Sequence, residues 1–294
     1  MYPASFEYAS PTSLDQALAD LDRFGDDGKV LAGGQSLIPL MKLRLAAPTA
    51  LVDINRVGEL ADDLRQDDGV LRIGARVRHK TCERSSLLKG RFATLGDTAS
   101  QVSDPIVRNS GTVCGSISHA DPQGDWGSAL SAMDATVVIR SSGGERTLPM
   151  SEFLQGPFTT ALEPNEIVTE VRVPDPGPRA GGTYLKLERK IGDFATVGVA
   201  VHVSLDNGSV GRAGIALTGV GGTNVRAAAA EQALVGSDGG ENAIREAARL
   251  AAEAANPRDD HRGSADYKRN VVRVYTERGL RRAIDQARSA QEGA

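Results

Sequence analysis

Apolar positions along the first part of the chain recur with two periods. Leu14, Ala17, Leu18, Leu21 and Phe24 share one face of a 3.6-residue repeat, with Ser13 and Gln16 set as a capping box and Gly25 as the stop. A helix of about three turns is predicted there. A short apolar run at 29–32 predicts a strand that enters Gly33-Gly34-Gln35-Ser36, and an apolar segment at 37–45, interrupted early by Pro39, then reads as a helix. Further strands are predicted at 50–54 and 70–75, and residues 129–133 read as the end of a helix feeding the β-branched run 136–139. Over 166–173, Ile167, Thr169, Val171 and Val173 take one side of a strand with polar residues on the other, stopping at Pro174. Strands and helices are interspersed, which favours α+β or α/β.

The run PDPGPRAGG that follows is rich in proline and glycine, and a domain boundary is placed in it, giving 1–176 and 177–294. Beyond it a strand is expected at 184–190. Strands at 196–205 and 209–218 flank Asp206-Asn207-Gly208, a strong hairpin signal. The second part therefore starts as an antiparallel sheet. From Arg226 onward Ala, Arg and Glu recur at helical spacing, broken at 237–240 and at Pro257, so about three helices close the chain. Between Arg258 and Arg288 nine Lys/Arg stand against five Asp/Glu. Such a run reads as a solvated helix face, the alternative being contact with an acidic partner.

The 294 residues are enough for two domains, and 40% hydrophobic with 24% charged residues is a globular composition. A formal net charge of −4 argues against nucleic acid as a partner. No apolar run approaches the roughly 18 residues of a membrane span, and the N-terminus has no basic segment followed by an apolar stretch, so a cytoplasmic protein is expected. Cys82 and Cys114 form no CxxC pair and are expected as free thiols in a reducing compartment. Two cysteines cannot ligate an iron-sulfur cluster on their own.

Two glycine turns carry candidate chemistry. Ala32, Gly33, Gly34, Gln35 and Ser36 lie between a predicted strand and a predicted helix start, where backbone N–H groups can hold a phosphate. The turn matches neither GK[ST] nor GxGxxG, and GxSxG fails at Ile38. The stretch from Arg108 to Trp126, RNSGTVCGSISHADPQGDW, is the densest in glycine and small polar residues. It suits close wrapping of a ligand, with Asp121 and Asp125 available to accept from ribose or ring groups. As metal ligands, His119, Asp121 and Asp125 fit no common spacing, and His119 has no identifiable third partner for a hydrolase triad.

Taken together, Phe6-Glu7-Tyr8, LAGGQSLIPLMKLRLA with LVDIN, RNSGTVCGS with HADPQGD, and LERKIGDFATVGVAV resemble the medium, FAD-binding subunit of molybdenum hydroxylases, the carbon monoxide dehydrogenase and xanthine dehydrogenase family. The resemblance runs through nearly the whole chain in order. It implies an α+β fold with a two-subdomain FAD-binding domain of the vanillyl-alcohol-oxidase type, subdomains about 1–57 and 58–176, then a C-terminal domain of sheet plus helices. Ala32, Gly33, Gly34, Gln35 and Ser36 match its first diphosphate loop, with Leu37 expected beside it as a further cofactor-binding residue; Thr112, Val113, Cys114, Gly115 and Ser116 match its second. There Cys114 stands for a glycine and Ser116 for an asparagine, and Gln35 stands where some members have His. Asp125 is implied near the ribityl-adenosine portion, with His119 at a polar position of that loop and Val168 at the adenine end, and Val102 and Asp121 are expected as further cofactor-binding residues. Lys186 is implied as a cofactor-contacting lysine and Phe194 as the aromatic beside the flavin ring.

The resemblance also implies partners: a large subunit with a molybdenum-molybdopterin cofactor and a small subunit with two iron-sulfur clusters, arranged as a dimer of heterotrimers, and an external electron acceptor. No residue would then be catalytic in the chain itself. Exposed apolar patches for the partner subunits are expected. Two other readings stand beside it: a self-sufficient flavin oxidase or reductase, and a scaffold without cofactor, the latter prompted by Cys114 and Ser116.

Overall fold

The structure is a computed structural model that describes residues 2–292. Its first layer holds β1 (Glu7–Ala9), α1 (Leu14–Phe24), β2 (Gly28–Leu31), α2 (Leu37–Lys42) and β3 (Ala50–Asp53). The strands form a parallel sheet in the order β1-β3-β2. Helix α1 buries Ala17, Leu18 and Leu21 against Val52, Ile54 and Leu60. Its cap is a shifted box: Ser13 Oγ accepts from the Gln16 amide, but Gln16 Oε1 accepts from the Thr12 amide at 3.1 Å, one residue earlier than a strict box. The helix predicted over 37–45 stops at Lys42, and Arg44 turns to φ 58°. Pro39 is tolerated because first-turn amides have no intrahelical acceptor.

The second layer is a five-stranded antiparallel sheet with helices inserted between its strands. It comprises β4 (Leu64–Asp67), β5 (Val70–Gly74), α3 (His79–Arg84), α4 (Ala93–Gln101), α5 (Pro105–Ser110), α6 (Val113–His119), α7 (Asp125–Ala132), β6 (Thr136–Ser141), β7 (Gly144–Pro149), α8 (Met150–Phe153) and β10 (Ile167–Pro174), with the small hairpin β8 (Leu154–Gly156) and β9 (Thr159–Thr160) before the last strand. The order is β4-β5-β10-β6-β7. The simple alternation read over 166–173 does not hold, because the register slips between Val168 and Glu170. This bulge sends Ile167 into the core of the first layer and Val168, Val171 and Val173 into that of the second. Glu170 is buried instead of facing solvent, held by Arg65 and Arg72 at 2.9 Å and Arg172 at 2.6 Å.

The third layer is the antiparallel sheet β11 (Ala180–Leu187), β12 (Val197–Asp206), β13 (Ser209–Thr218) and β14 (Val225–Arg226), followed by α9 (Ala228–Leu234), α10 (Glu241–Ala254) and α11 (Ala265–Glu292). Asn207 at φ 48° and Gly208 at φ 86° make the expected tight hairpin between β12 and β13. The strand expected at 184–190 instead begins at Ala180 and ends at Leu187, so the Gly181-Gly182 pair read as linker lies inside β11. Close packing on both faces explains the glycines. A Cβ on Gly181 would stand 2.3 Å from the Ala283 carbonyl of α11, and one on Gly182 would stand 2.0 Å from Thr94 Oγ1 of α4.

The sheet is thus covered on one side by α9, α10 and α11, where Val199, Val201 and Val203 pack with Ala247, Val272 and Ile284, and on the other by α4 and α7. Tyr184, Ala200 and Ala216 point the second way and belong to the core of the second layer. Much of the arginine excess of α11 is paired on its surface: Arg273 with Glu277 at 2.6 Å and Arg281 with Glu241 at 2.8 Å. Among the described residues no helix is long and apolar enough to cross a membrane.

Candidate functional site

A cavity of about 580 Å³ opens where the three layers meet, within the size range of small-molecule and cofactor sites. Its first wall is the turn after β2. Gly34 adopts φ 68°, and the turn is pinned from behind by Asn55, whose amide donates to the Ala32 carbonyl at 2.9 Å. Arg78 donates to Asn55 Oδ1 and to the Ser110 carbonyl, tying this turn to the end of α5. A Cβ on Gly33 would stand 2.4 Å from that same carbonyl, so the two glycine turns meet backbone to backbone.

The second wall is the α5–α6 turn with α6 itself. Asp104 caps α5 through the Val107 amide at 2.8 Å, and Thr112 Oγ1 caps α6 through the Gly115 amide at 3.1 Å. The structure brings the sequence-derived candidates into one cavity lining: Ala32 to Leu37, Val102, Thr112, Cys114 to Ser116, His119, Asp121, Asp125, Val168, Lys186 and Phe194. Val113 is the exception. Its side chain is buried in the core and its amide donates to the Val77 carbonyl at 3.1 Å.

Cys114 lines the cavity without filling it, because its thiol turns toward the carbonyls of Gly74 and Ile73 at 3.7 and 4.0 Å. Burial pushes that thiol up to about 12 and the Cys82 thiol higher still, and both cysteines are free. Asp121 accepts from the Gln123 amide at 2.9 Å within its own turn. The His119 ring lies 5.2 Å from that of Phe158, and burial lowers its pKa.

On the side of the third layer, Lys186 Nζ lies 3.0 Å from Asp125 Oδ2 and donates to the Gln101 carbonyl at 2.9 Å. Tyr184 donates to the other Asp125 oxygen at 2.7 Å. Lys186 is therefore a buried, paired cation and no surface charge. Burial raises the Asp125 pKa, while Lys186 and the Tyr184 hydroxyl pull it back. Phe194 stands half-exposed at the rim on a loop held by Arg262, which donates to its carbonyl at 2.9 Å and to Asp193 at 3.1 Å. Ser103 Oγ fixes the same loop through the Gly192 carbonyl at 3.3 Å.

Sequence reasoning missed several lining residues. Leu162, Glu163, Pro164 and Glu166 arrive on the arm from β9 to β10, and His79 sits at the start of α3. Neither segment carries a glycine turn, and their polar residues match no ligand-binding motif that would have marked them. Among the described residues no three His, Cys, Asp or Glu side chains gather as a metal site.

Two glycine turns in backbone contact, a buried ion pair opposite them and a rim aromatic define a cofactor-binding α+β protein whose cleft suits a diphosphate-linked ligand. The family follows from comparison with known proteins. Residues 4–176 match the FAD binding domain in molybdopterin dehydrogenase, and residues 182–283 match the CO dehydrogenase flavoprotein C-terminal domain, so the chain belongs to this flavoprotein family. It is 38% identical over 293 residues to subunit alpha of the 6-hydroxypseudooxynicotine dehydrogenase complex of Paenarthrobacter nicotinovorans, covering 99% of each chain. It is also 38% identical to the carbon monoxide dehydrogenase medium chain of Hydrogenophaga pseudoflava, with 96% of this chain and 98% of that one covered. Among solved structures, a carbon monoxide dehydrogenase from H. pseudoflava lacking the Mo-pyranopterin moiety of its cofactor aligns with a TM-score of 0.93 at 40% identity, covering 97% of this chain and 99% of that one.

Proposed function

We propose that this chain is the FAD-binding electron-transfer subunit of a multi-subunit molybdenum hydroxylase or dehydrogenase, taking electrons from an iron-sulfur subunit and passing them to an external acceptor. The observation that carries the reading is the backbone contact of Gly33 with Ser110, which brings the two glycine turns together in the one cavity. The residues fit the group. Ala32 to Ser36 and Thr112 with Cys114 to Ser116 would hold the diphosphate, Val102, Asp125 and Val168 the ribityl-adenosine part, and Lys186 with Phe194 would stand by the ring. When bound, FAD supplies redox chemistry that accepts electrons singly and releases them in pairs. The chain's own contribution is to bind, orient and shield: no nucleophile–base pair is needed, and the buried Lys186–Asp125 pair sets a fixed polar field in the cleft.

The proposed assembly adds a molybdopterin subunit and a small subunit with two iron-sulfur clusters, as a dimer of heterotrimers in the cytoplasm. Two unpaired buried cysteines support a reducing compartment. The matched relatives are named for carbon monoxide and for a nicotine derivative, which supports placing substrate choice in the large subunit. The division into 1–176 and 177–294 is part of the proposal, supported by the separate family matches to 4–176 and 182–283.

Co-purification with its partners tests the reading. Flavin bands with iron-sulfur absorption and molybdenum in fixed stoichiometry are the expected result. A folded chain that ignores added FAD overturns it, and substrate turnover by the chain alone favours a self-sufficient oxidase.

A further inference from the structure

His79 opens α3, and its surroundings place it directly behind the second glycine turn. Its amide donates to the Gly111 carbonyl at 3.0 Å, and the neighbouring Arg78 and Thr112 form a β-bridge. A Cβ built on Gly111 would stand 2.8 Å from His79 Nε2, so the ring edge packs on that glycine. The side chain is 4% exposed and lines the cavity.

The indole of Trp126 determines which ring nitrogen carries the proton. Trp126 Nε1 lies 3.0 Å from His79 Nδ1, and an indole N–H can only donate. Nδ1 is therefore the acceptor and the proton resides on Nε2. Among the described residues nothing accepts from Nε2, which leaves this donor at the cavity wall without a protein partner. A donor so placed is open to an acceptor on a ligand in the cavity. Protonating Nδ1 would set two N–H groups face to face. Burial, with Arg108 and Arg78 nearby, lowers the His79 pKa to about 4, so the ring is neutral at physiological pH.

We propose that His79 is a positioning residue for the dinucleotide, donating from Nε2–H to an oxygen of its diphosphate, with Trp126 locking the tautomer that can do so. This rests on the assignment of the cavity to FAD. The geometry selects the diphosphate because His79 packs on Gly111, in the turn where the two glycine loops meet. A neutral donor also avoids adding a third cation to Arg78 and Arg108.

The test uses the full chain, freed of cofactor and titrated with FAD. In protein labelled with ¹⁵N-histidine, the His79 signals, assigned by their loss in His79→Gln, are expected to show a protonated Nε2 before and after FAD. The Nε2-bound proton is expected to move downfield at saturation. His79→Phe is expected to raise the FAD dissociation constant about tenfold, while His79→Gln, which offers Trp126 an acceptor and the ligand a donor, stays within about threefold of the parent. Melting of the cofactor-free variants separates lost folding from lost binding. An Nε2 signal unmoved by FAD overturns the proposal even if His79→Phe fails to fold, and so does a folded His79→Phe with parental affinity. A parent chain that binds no FAD overturns the cofactor assignment itself, a separate and visible result.

Discussion

His202 sits mid-strand in β12 on the side facing α4 and α7, fully buried, with neither ring nitrogen bonded. Burial and the nearby Arg212 lower its pKa to about 3, outweighing the opposing pull of Asp134. Because the folded value lies below the unfolded value near 6.5, the unfolded chain binds the proton first. The stability contributed by the neutral ring is complete above pH 6.5 and is lost as pH falls toward 3. At pH 5 His202 accordingly forfeits about 2 kcal/mol relative to pH 7.5. His202→Leu, which removes both unpaired nitrogens, is expected to shrink the difference in urea-unfolding free energy between those pH values by that amount. An unchanged difference would show that His202 does not titrate in this way. No pattern in the sequence marks this histidine, since a strand of alternating apolar residues admits it as readily on the wet face as the dry one. The glycine turns were legible for the opposite reason: a polar, glycine-rich stretch is a local feature, and a strand-turn-helix order tells where its amides point.

Elements that depend on distant partners were the ones misread. Helix α1 and the β12–β13 hairpin carry their own signals in Ser13, Gln16, Asn207 and Gly208, and they form as predicted. The start of β11 depends on α11 and α4, far away in sequence, and the bulge of β10 on Glu170 meeting three arginines, so neither could be read locally. The same holds for the join between α7 and β11. Asp125 opens α7, Lys186 ends near the far end of β11, and both are buried, at 7% and 2% side-chain exposure. Lys186→Met is expected to leave a buried carboxylate unpaired and cost about 3–5 kcal/mol, whereas the double variant Lys186→Met with Asp125→Asn recovers much of that loss. Urea unfolding of the four proteins in this cycle measures it. Additive losses would mean that the pair is not coupled and that Gln101 and Tyr184 hold each partner independently.

At the scale of the whole molecule, the two family matches suggest two separable pieces, yet the packing contradicts separability. Tyr184, Ala200 and Ala216 lie beyond residue 176 but complete the core that holds Leu95, Trp126 and Leu130. Lys186 and Phe194, also beyond it, line the cavity with the glycine turns. A chain ending at 176 would expose the faces of α4 and α7 that the third sheet covers, and would lose that side of the cleft. Uncovered apolar surface costs about 25 cal/mol per Å², and a domain's net stability is only about 5–15 kcal/mol. The 1–176 fragment is therefore expected to lack a near-ultraviolet circular dichroism signal from Trp126 and to bind no FAD. Co-expression with 177–294 should restore both, because the missing contacts lie across a complementary face and need no covalent link. A 1–176 fragment that folds and binds FAD alone would place the cleft within the first two layers and reduce the third to a cover.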